Sequence, residues 1–196
     1  MKTILYFSAL LLCGLLLACS TLSPPIPEEL RIDEGVVING IRWATRNVDV
    51  PGSFVEYPED AGWFFTWNSR QGLPRVSPGT RWERANDPCP TGWRVPTLEE
   101  FQSLEAAGSR WGTLNGIYGR FFGTDPEWIF LPAAEQTRNS AGRVQETMSN
   151  RPSSTGSYWS GSHATFTAYR LTFRRAGVLI DNSSKGNMHS VRCVAM

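Results

Sequence analysis

The chain has 196 residues, 41% of them hydrophobic and 19% charged, and a formal net charge of +1. That length accommodates one packed domain with additional segments, and so small a charge supplies no electrostatic attraction to nucleic acid or to an acidic membrane surface. Its 8 Trp, 18 Gly and 13 Pro argue against a helical bundle and for a loop-rich fold around an aromatic core.

Residues 1–18 read as a signal peptide. Lys2 supplies the positive start, and Ile4 to Leu17 form an apolar run shorter than the roughly 20 residues a membrane-spanning helix needs. The run ends in Leu16-Leu17-Ala18-Cys19, which resembles the lipobox of bacterial lipoproteins. The resemblance implies cleavage before Cys19 and acylation of that residue with palmitate-like chains. Two or three such chains anchor a protein stably, so a membrane is the first expected partner. Ser20 in place of Asp after the anchor implies sorting to the cell outer membrane. Residues 19–35 read as a tether stiffened by Ser23-Pro24-Pro25-Ile26-Pro27, and the domain is expected over 36–196.

Within the domain, Asn39-Gly40 between two apolar-alternating runs predicts a hairpin over 36–48. Trp63 to Trp67 is a short apolar strand candidate, and 71–90 a polar loop. Cys89-Pro90-Thr91-Gly92 makes a turn, and Pro96 ends the extended run before it. Thr97-Leu98-Glu99-Glu100 has capping-box spacing; with Leu98, Phe101 and Leu104 in register it predicts a helix over 98–107, stopped by Gly108. Residues 108–123, rich in glycine, are expected to form a loop carrying Trp111 and Tyr118. Trp128 to Leu131 reads as a buried strand and 133–156 as a long polar loop. Alternation predicts a hairpin from 168–173 and 177–181, with a last strand at 190–194.

Of four cysteines, Cys13 is discarded and Cys19 acylated on this reading. Cys89 and Cys193 remain, and beyond the inner membrane two such thiols are expected to pair. A metal site is the competing reading, but the pair lacks neighbouring ligands. His163 and His189 have no carboxylate or Cys at metal-ligand spacing and are assigned surface or structural roles. No P-loop, G-x-S-x-G or H-E-x-x-H run is present. No metal, cofactor or catalytic residue is expected.

Ile38-Asn39-Gly40 with Trp43-Ala44-Thr45-Arg46-Asn47, then Cys89-Pro90-Thr91-Gly92-Trp93-Arg94-Val95-Pro96-Thr97, Leu131-Pro132-Ala133-Ala134, Tyr158-Trp159-Ser160 and Ser190-Val191-Arg192-Cys193-Val194 together resemble the Fibrobacter succinogenes major paralogous domain family of bacterial surface proteins. The resemblance implies an α+β, C-type lectin-like fold: a small, twisted, mostly antiparallel sheet with one or two helices and long irregular loops. It also implies a structural bridge between Cys89 and Cys193. Glu135 stands where the family often has Gly, and Arg138-Asn139 reads as the family's Arg-Asn pair displaced.

The function expected is a non-enzymatic, lipid-anchored envelope or surface module for adhesion. It would bind a glycan or a protein through Trp111, Tyr118, Arg120, Arg138 and Asn139. One alternative is an accessory subunit of a surface assembly such as a fimbria. A remote one is a formylglycine-generating-like oxidoreductase, which would need a reactive cysteine pair.

Overall fold

A computed structural model describes residues 32–70, 80–134 and 154–196, together with the backbone of two short strands between the last two segments. The expected signal peptide, Cys19 and most of the expected tether lie outside the described residues.

The fold corrects the expected α+β class. It is mostly β, a set of small antiparallel sheets with one α-helix among the described residues. β1 (Val36–Ile38), β2 (Ile41–Asn47), β4 (Trp93–Arg94) and β14 (Arg192–Ala195) form a sheet in the order β1-β2-β14-β4. β5 (Ser109–Leu114), β6 (Ile117–Thr124) and β7 (Glu127–Pro132) form a second, in sequence order. β10 (Thr155–His163), β11 (Thr167–Arg174) and β12 (Gly177–Ser184) form a third. β3 (Phe65–Thr66) pairs with β13 (Met188–His189), and β8 (Thr137–Arg138) with β9 (Val144–Gln145). None of the described helices is long and apolar enough to cross a membrane.

The local signals behave as their chemistry dictates. Asn39 and Gly40 adopt φ of 50° and 78°, the left-handed pair a two-residue hairpin turn requires, and β1 pairs with β2 across it. α1 (Leu98–Ala106) carries the complete capping box: Glu100 N–H donates to Thr97 Oγ1, and Thr97 N–H to the Glu100 carboxylate. Arg94 reinforces it by pairing with Glu100 at 2.6 Å. Phe101 and Leu104 face the core. Thr97→Ala is expected to lower stability by about 0.5–2 kcal/mol, read as a lower urea midpoint; an unchanged midpoint would remove the cap from the account.

Two expectations about extent change. Residues 108–123 are a hairpin, not a loop. Asn115 and Gly116 take φ of 48° and 85°, a second Asn-Gly turn. The glycines inside the strands reflect packing: a Cβ at Gly119 would collide with the Leu131 carbonyl and the Phe130 ring. The packed part of the chain also starts upstream of residue 36. The buried Asp33 carboxylate accepts from Thr45 N–H, Thr45 Oγ1 and Arg46 N–H at 2.9–3.1 Å, and lies 3.5 Å from Arg46 Nε. These bonds hold the last residues of the expected tether against β2.

The core has two main clusters. One gathers Trp43, Phe101, Phe122, Leu131, Tyr158 and Phe173 where the sheets and α1 meet. The other gathers Phe65, Trp67, Val95, Trp159 and Val191 around Cys89 and Cys193. Those two cysteines are joined by a disulfide across a sequence separation of 104.

Between the clusters lies a buried polar hub that sequence reasoning missed. Arg192 is fully buried and donates to Asn47 Oδ1 (2.9 Å), the Ala44 carbonyl (3.1 Å) and the Phe130 carbonyl (2.9 Å). Asn47 in turn donates to the Asp60 and Ala61 carbonyls and to Tyr158 Oη, which donates to the Pro132 carbonyl at 2.8 Å. One guanidinium thereby links β14, β2 and β7, and Asn47 adds the 60–61 loop and β10. Burial pulls Arg192 down to about 10 and pushes the Tyr158 phenol up to about 12. At neutral pH the hub therefore holds a cation whose hydrogen bonds all go to neutral oxygens.

Candidate functional site: an aromatic platform beside an arginine turn

The β5–β6 hairpin places three of the five expected binding residues on one face. Trp111 pairs across the strands with Arg120, and Thr113 with Tyr118, so alternation puts Trp111, Tyr118 and Arg120 on the same side. The Trp111 and Tyr118 rings stack, with centroids 6.0 Å apart and planes at 15°. Trp111 also meets Phe173 edge-on at 6.4 Å, and Phe173 stacks on Tyr158 at 6.0 Å. The row of rings runs from the core outward and ends on Tyr118, which is 45% exposed. A ring held this way contributes contact area at little entropic cost on binding.

Arg120 is not available to a ligand. Its residue is 8% exposed. Its guanidinium donates to Ser109 Oγ at 3.1 Å, to the Arg174 carbonyl at 2.7 Å and to the Arg175 carbonyl at 3.4 Å. It thus positions the β11–β12 turn against the hairpin. Burial lowers its pKa, and no carboxylate pairs with it among the described residues. Arg138 lies in β8 with its side chain outside the described residues, and Asn139 lies outside the described residues altogether.

At its tip the hairpin is tied to another loop. Asn115 donates its side-chain amide to Glu59 Oε1 at 2.6 Å, and Glu59 is largely buried. This bond ties the hairpin tip to the 56–62 loop. The Asn115-Gly116 turn could have been found from sequence; the glycines at 112, 119 and 123 masked the strands on either side of it.

Neither histidine sits in a ligand set, and no three His, Cys, Asp or Glu among the described residues are placed to hold a metal ion. His189 is buried, packed on Trp159 at 4.4 Å. Asn187 donates to Ser183 Oγ at 3.0 Å, which leaves the Ser183 hydroxyl to donate to His189 Nε2 at 2.9 Å. Arg170 also reaches Nε2 at 3.3 Å while paired with Asp181 at 2.7 Å. Burial first, then the Arg170 charge, holds the imidazole down to about 3. A ring so weakly basic is a poor proton acceptor for Ser183 at neutral pH, so the pair works as a pin between β12 and β13. Cys193 is fully buried and Cys89 nearly so, unlike an exposed redox pair.

The His189 environment gives a pH dependence of defined sign. The unfolded chain binds the proton near pH 6.5 and the folded one only near 3. The stabilisation is complete above about pH 6.5 and is lost as the pH falls toward 3, by up to about 1.4 kcal/mol per pH unit. Urea midpoints measured between pH 7 and 4 are expected to fall more steeply for the natural chain than for His189→Gln. Parallel slopes would overturn the assignment.

No protein-family model, curated protein or solved structure matches this chain.

Proposed function

We propose that the protein is a lipid-anchored binding module of the bacterial cell envelope, held in the outer membrane through Cys19, that recognises a glycan through the Trp111–Tyr118 platform and performs no catalysis. The observation that carries this reading is an exposed tyrosine ring stacked on a tryptophan that is itself braced by the core. Aromatic faces of this kind stack on the C–H faces of sugar rings or anchor protein surfaces. The lipobox resemblance supports the anchor, and the resemblance to the Fibrobacter succinogenes domain family supports a surface role.

Detergent-solubilised full-length protein is tested on a glycan array, with Tyr118→Ala as the control. Binding that falls at least tenfold in the variant at an unchanged urea midpoint supports the reading; an array without signal sinks it. For the anchor, Cys19→Ala is expected to abolish incorporation of labelled fatty acid, and normal labelling of that variant would remove Cys19 from the account.

The second reading is an accessory subunit of a surface assembly. It is favoured by β12, which pairs with β11 on one side only among the described residues. That edge has no Pro or Lys, the residues that discourage edge pairing. Co-purification with an envelope complex that survives Tyr118→Ala would favour it over the glycan reading.

A further inference from the structure

We infer that β12 is a self-pairing edge: two copies of this chain join their β12 strands antiparallel about a twofold axis at Leu179, making one continuous sheet from two three-stranded ones. None of the residues involved belongs to the Trp111–Tyr118 platform, so the pairing stands or falls apart from the glycan reading.

The direction of the free backbone groups follows from β10. Trp159 N–H donates to the Ser190 carbonyl at 3.0 Å, and Ser190 N–H donates to the Ser157 carbonyl at 3.1 Å. Ser157 and Trp159 therefore turn their backbone groups away from β11, and Gly156 and Tyr158 turn theirs toward it. Gly156 and Tyr158 oppose Phe173 and Leu171. The remaining β11 residues, Arg170, Thr172 and Arg174, bond β12 through Asp181, Leu179 and Gly177. That leaves the N–H and C=O groups of Val178, Ile180 and Asn182 pointing outward, and they meet no further strand among the described residues.

An unpaired row of this kind is a template for another strand. Other sheet edges are less suited. β1 and β4 have only 3 and 2 residues, and β5 is interrupted by Gly112.

The sequence of β12 fits itself. Two copies related by a twofold axis must set outward-facing groups against outward-facing groups. With Leu179 on the axis, Val178 of each copy meets Ile180 of the other and exchanges both hydrogen bonds with it. Leu179 meets its own counterpart as a non-hydrogen-bonded pair, where side chains approach most closely. Leu179 is 57% exposed, and Val178 and Ile180 are half-buried against the first core cluster. The pairing thus covers apolar surface that the single chain leaves in water. Moving the axis to Ile180 would instead set Leu179 against Asp181.

Charge agrees with this register. Arg170, Thr172 and Arg174 share one face with Leu179 and Asp181, the face opposite Phe173. The register opposes Gly177 to Asp181 of the second copy, while Arg174 stands on the other side of Gly177. Arg174 is exposed and takes part in none of the ion pairs among the described residues. A Cβ at Gly177 would meet nothing within 4 Å, so the space above it is open to the guanidinium. Two strand spacings put Arg174 and the second copy's Asp181 about 10 Å apart at Cα, within the joint reach of the two side chains. Asp181 already accepts from Arg170 at 2.7 and 3.2 Å, and its carboxylate keeps lone pairs for a second donor. The axis makes this contact twice.

The experiment uses full-length protein purified in detergent. Leu179→Cys and Asn182→Cys, both at exposed positions of β12, are treated with a mild oxidant and run on non-reducing gels. Leu179→Cys is expected to form a disulfide-linked dimer, because its counterpart lies across the axis at disulfide range. Asn182→Cys falls beyond the paired stretch and should stay monomeric. Adding Arg174→Glu to Leu179→Cys should cut the cross-linked fraction severalfold. Without oxidant, the natural chain is expected to sediment as a dimer. Leu179→Lys sets two cations on the axis and should weaken that dimer at least tenfold, at an unchanged urea midpoint.

Equal cross-linking of both cysteines, or of neither, overturns the inference, as does a natural chain that sediments as a monomer. A dimer indifferent to Leu179→Lys places the interface elsewhere and overturns it too. A Leu179-dependent complex with a different protein, around a chain that does not self-associate, overturns the self-pairing and favours the accessory-subunit reading.

Discussion

Replacing Arg192 with alanine is expected to destabilise the protein by about 3–5 kcal/mol, because it leaves several buried acceptors without a donor. The change strands the Ala44 and Phe130 carbonyls and Asn47 Oδ1, which Arg192 now satisfies at 2.9–3.1 Å. Each unsatisfied buried acceptor costs about 1–3 kcal/mol, partly offset because a desolvated cation is no longer buried. Arg192→Lys separates charge from geometry. A lysine keeps the charge on a single nitrogen and lacks the planar fork that spans β2 and β7, so it is expected to cost nearly as much as alanine. Urea denaturation of the three proteins decides it. An alanine variant within about 0.5 kcal/mol of the natural chain would show that the hub adds nothing to stability, since surface-like changes fall in that range.

The second large effect concerns the bridge between Cys89 and Cys193. It closes a loop with a sequence separation of 104, worth up to about 4–5 kcal/mol in the chain-entropy account. It also pins the final strand to the turn before α1, inside the cluster of Phe65, Trp67 and Trp159. Cys89→Ser or Cys193→Ser is expected to lower stability by about 2–5 kcal/mol. The double change should cost little more than either single one, because one change already opens the bridge. Native protein is expected to show no titratable thiol at either position, with or without denaturant, until a reductant is added. Two accessible thiols in exported protein would overturn the structural bridge and revive the redox reading.

How much of this was legible in the sequence depends on how far each feature's partners lie along the chain. The β1–β2 turn at Asn39-Gly40, the capping box at Thr97 and Glu100, and the strands facing each other across the turn after Arg174 all rest on residues a few positions apart. Their chemistry is complete within the local stretch, so their sequence patterns are sufficient. The Cys89–Cys193 pair was also legible despite its separation, because few thiols were left to pair. The α+β class was not: its expectation came from a family resemblance, and the sheets that displace it are built from strands that look like loops when read alone. Residues 108–123 are the clearest case. Their glycines suggested a loop, while the reason for those glycines, the Phe121 and Phe130 rings lying across the strands, exists only after the sheet has formed.

By itself the sequence determined the turns, the helix and its cap, the cysteine pair and the aromatic character of the core, since these follow from neighbouring residues or from counting. Only the tertiary structure decided the fates of the polar side chains. Arg120 was expected at a ligand and instead holds carbonyls more than fifty positions away. Arg192, between Val191 and Cys193 in the last strand, is buried among oxygens that β2 and β7 bring from far along the chain. His189, which has no ligand pattern in sequence, finds Ser183 and Arg170 only where β11, β12 and β13 meet. A guanidinium or imidazole is satisfied by whatever oxygens and nitrogens the folded chain places within about 3 Å, and that distance carries no signature in the order of residues.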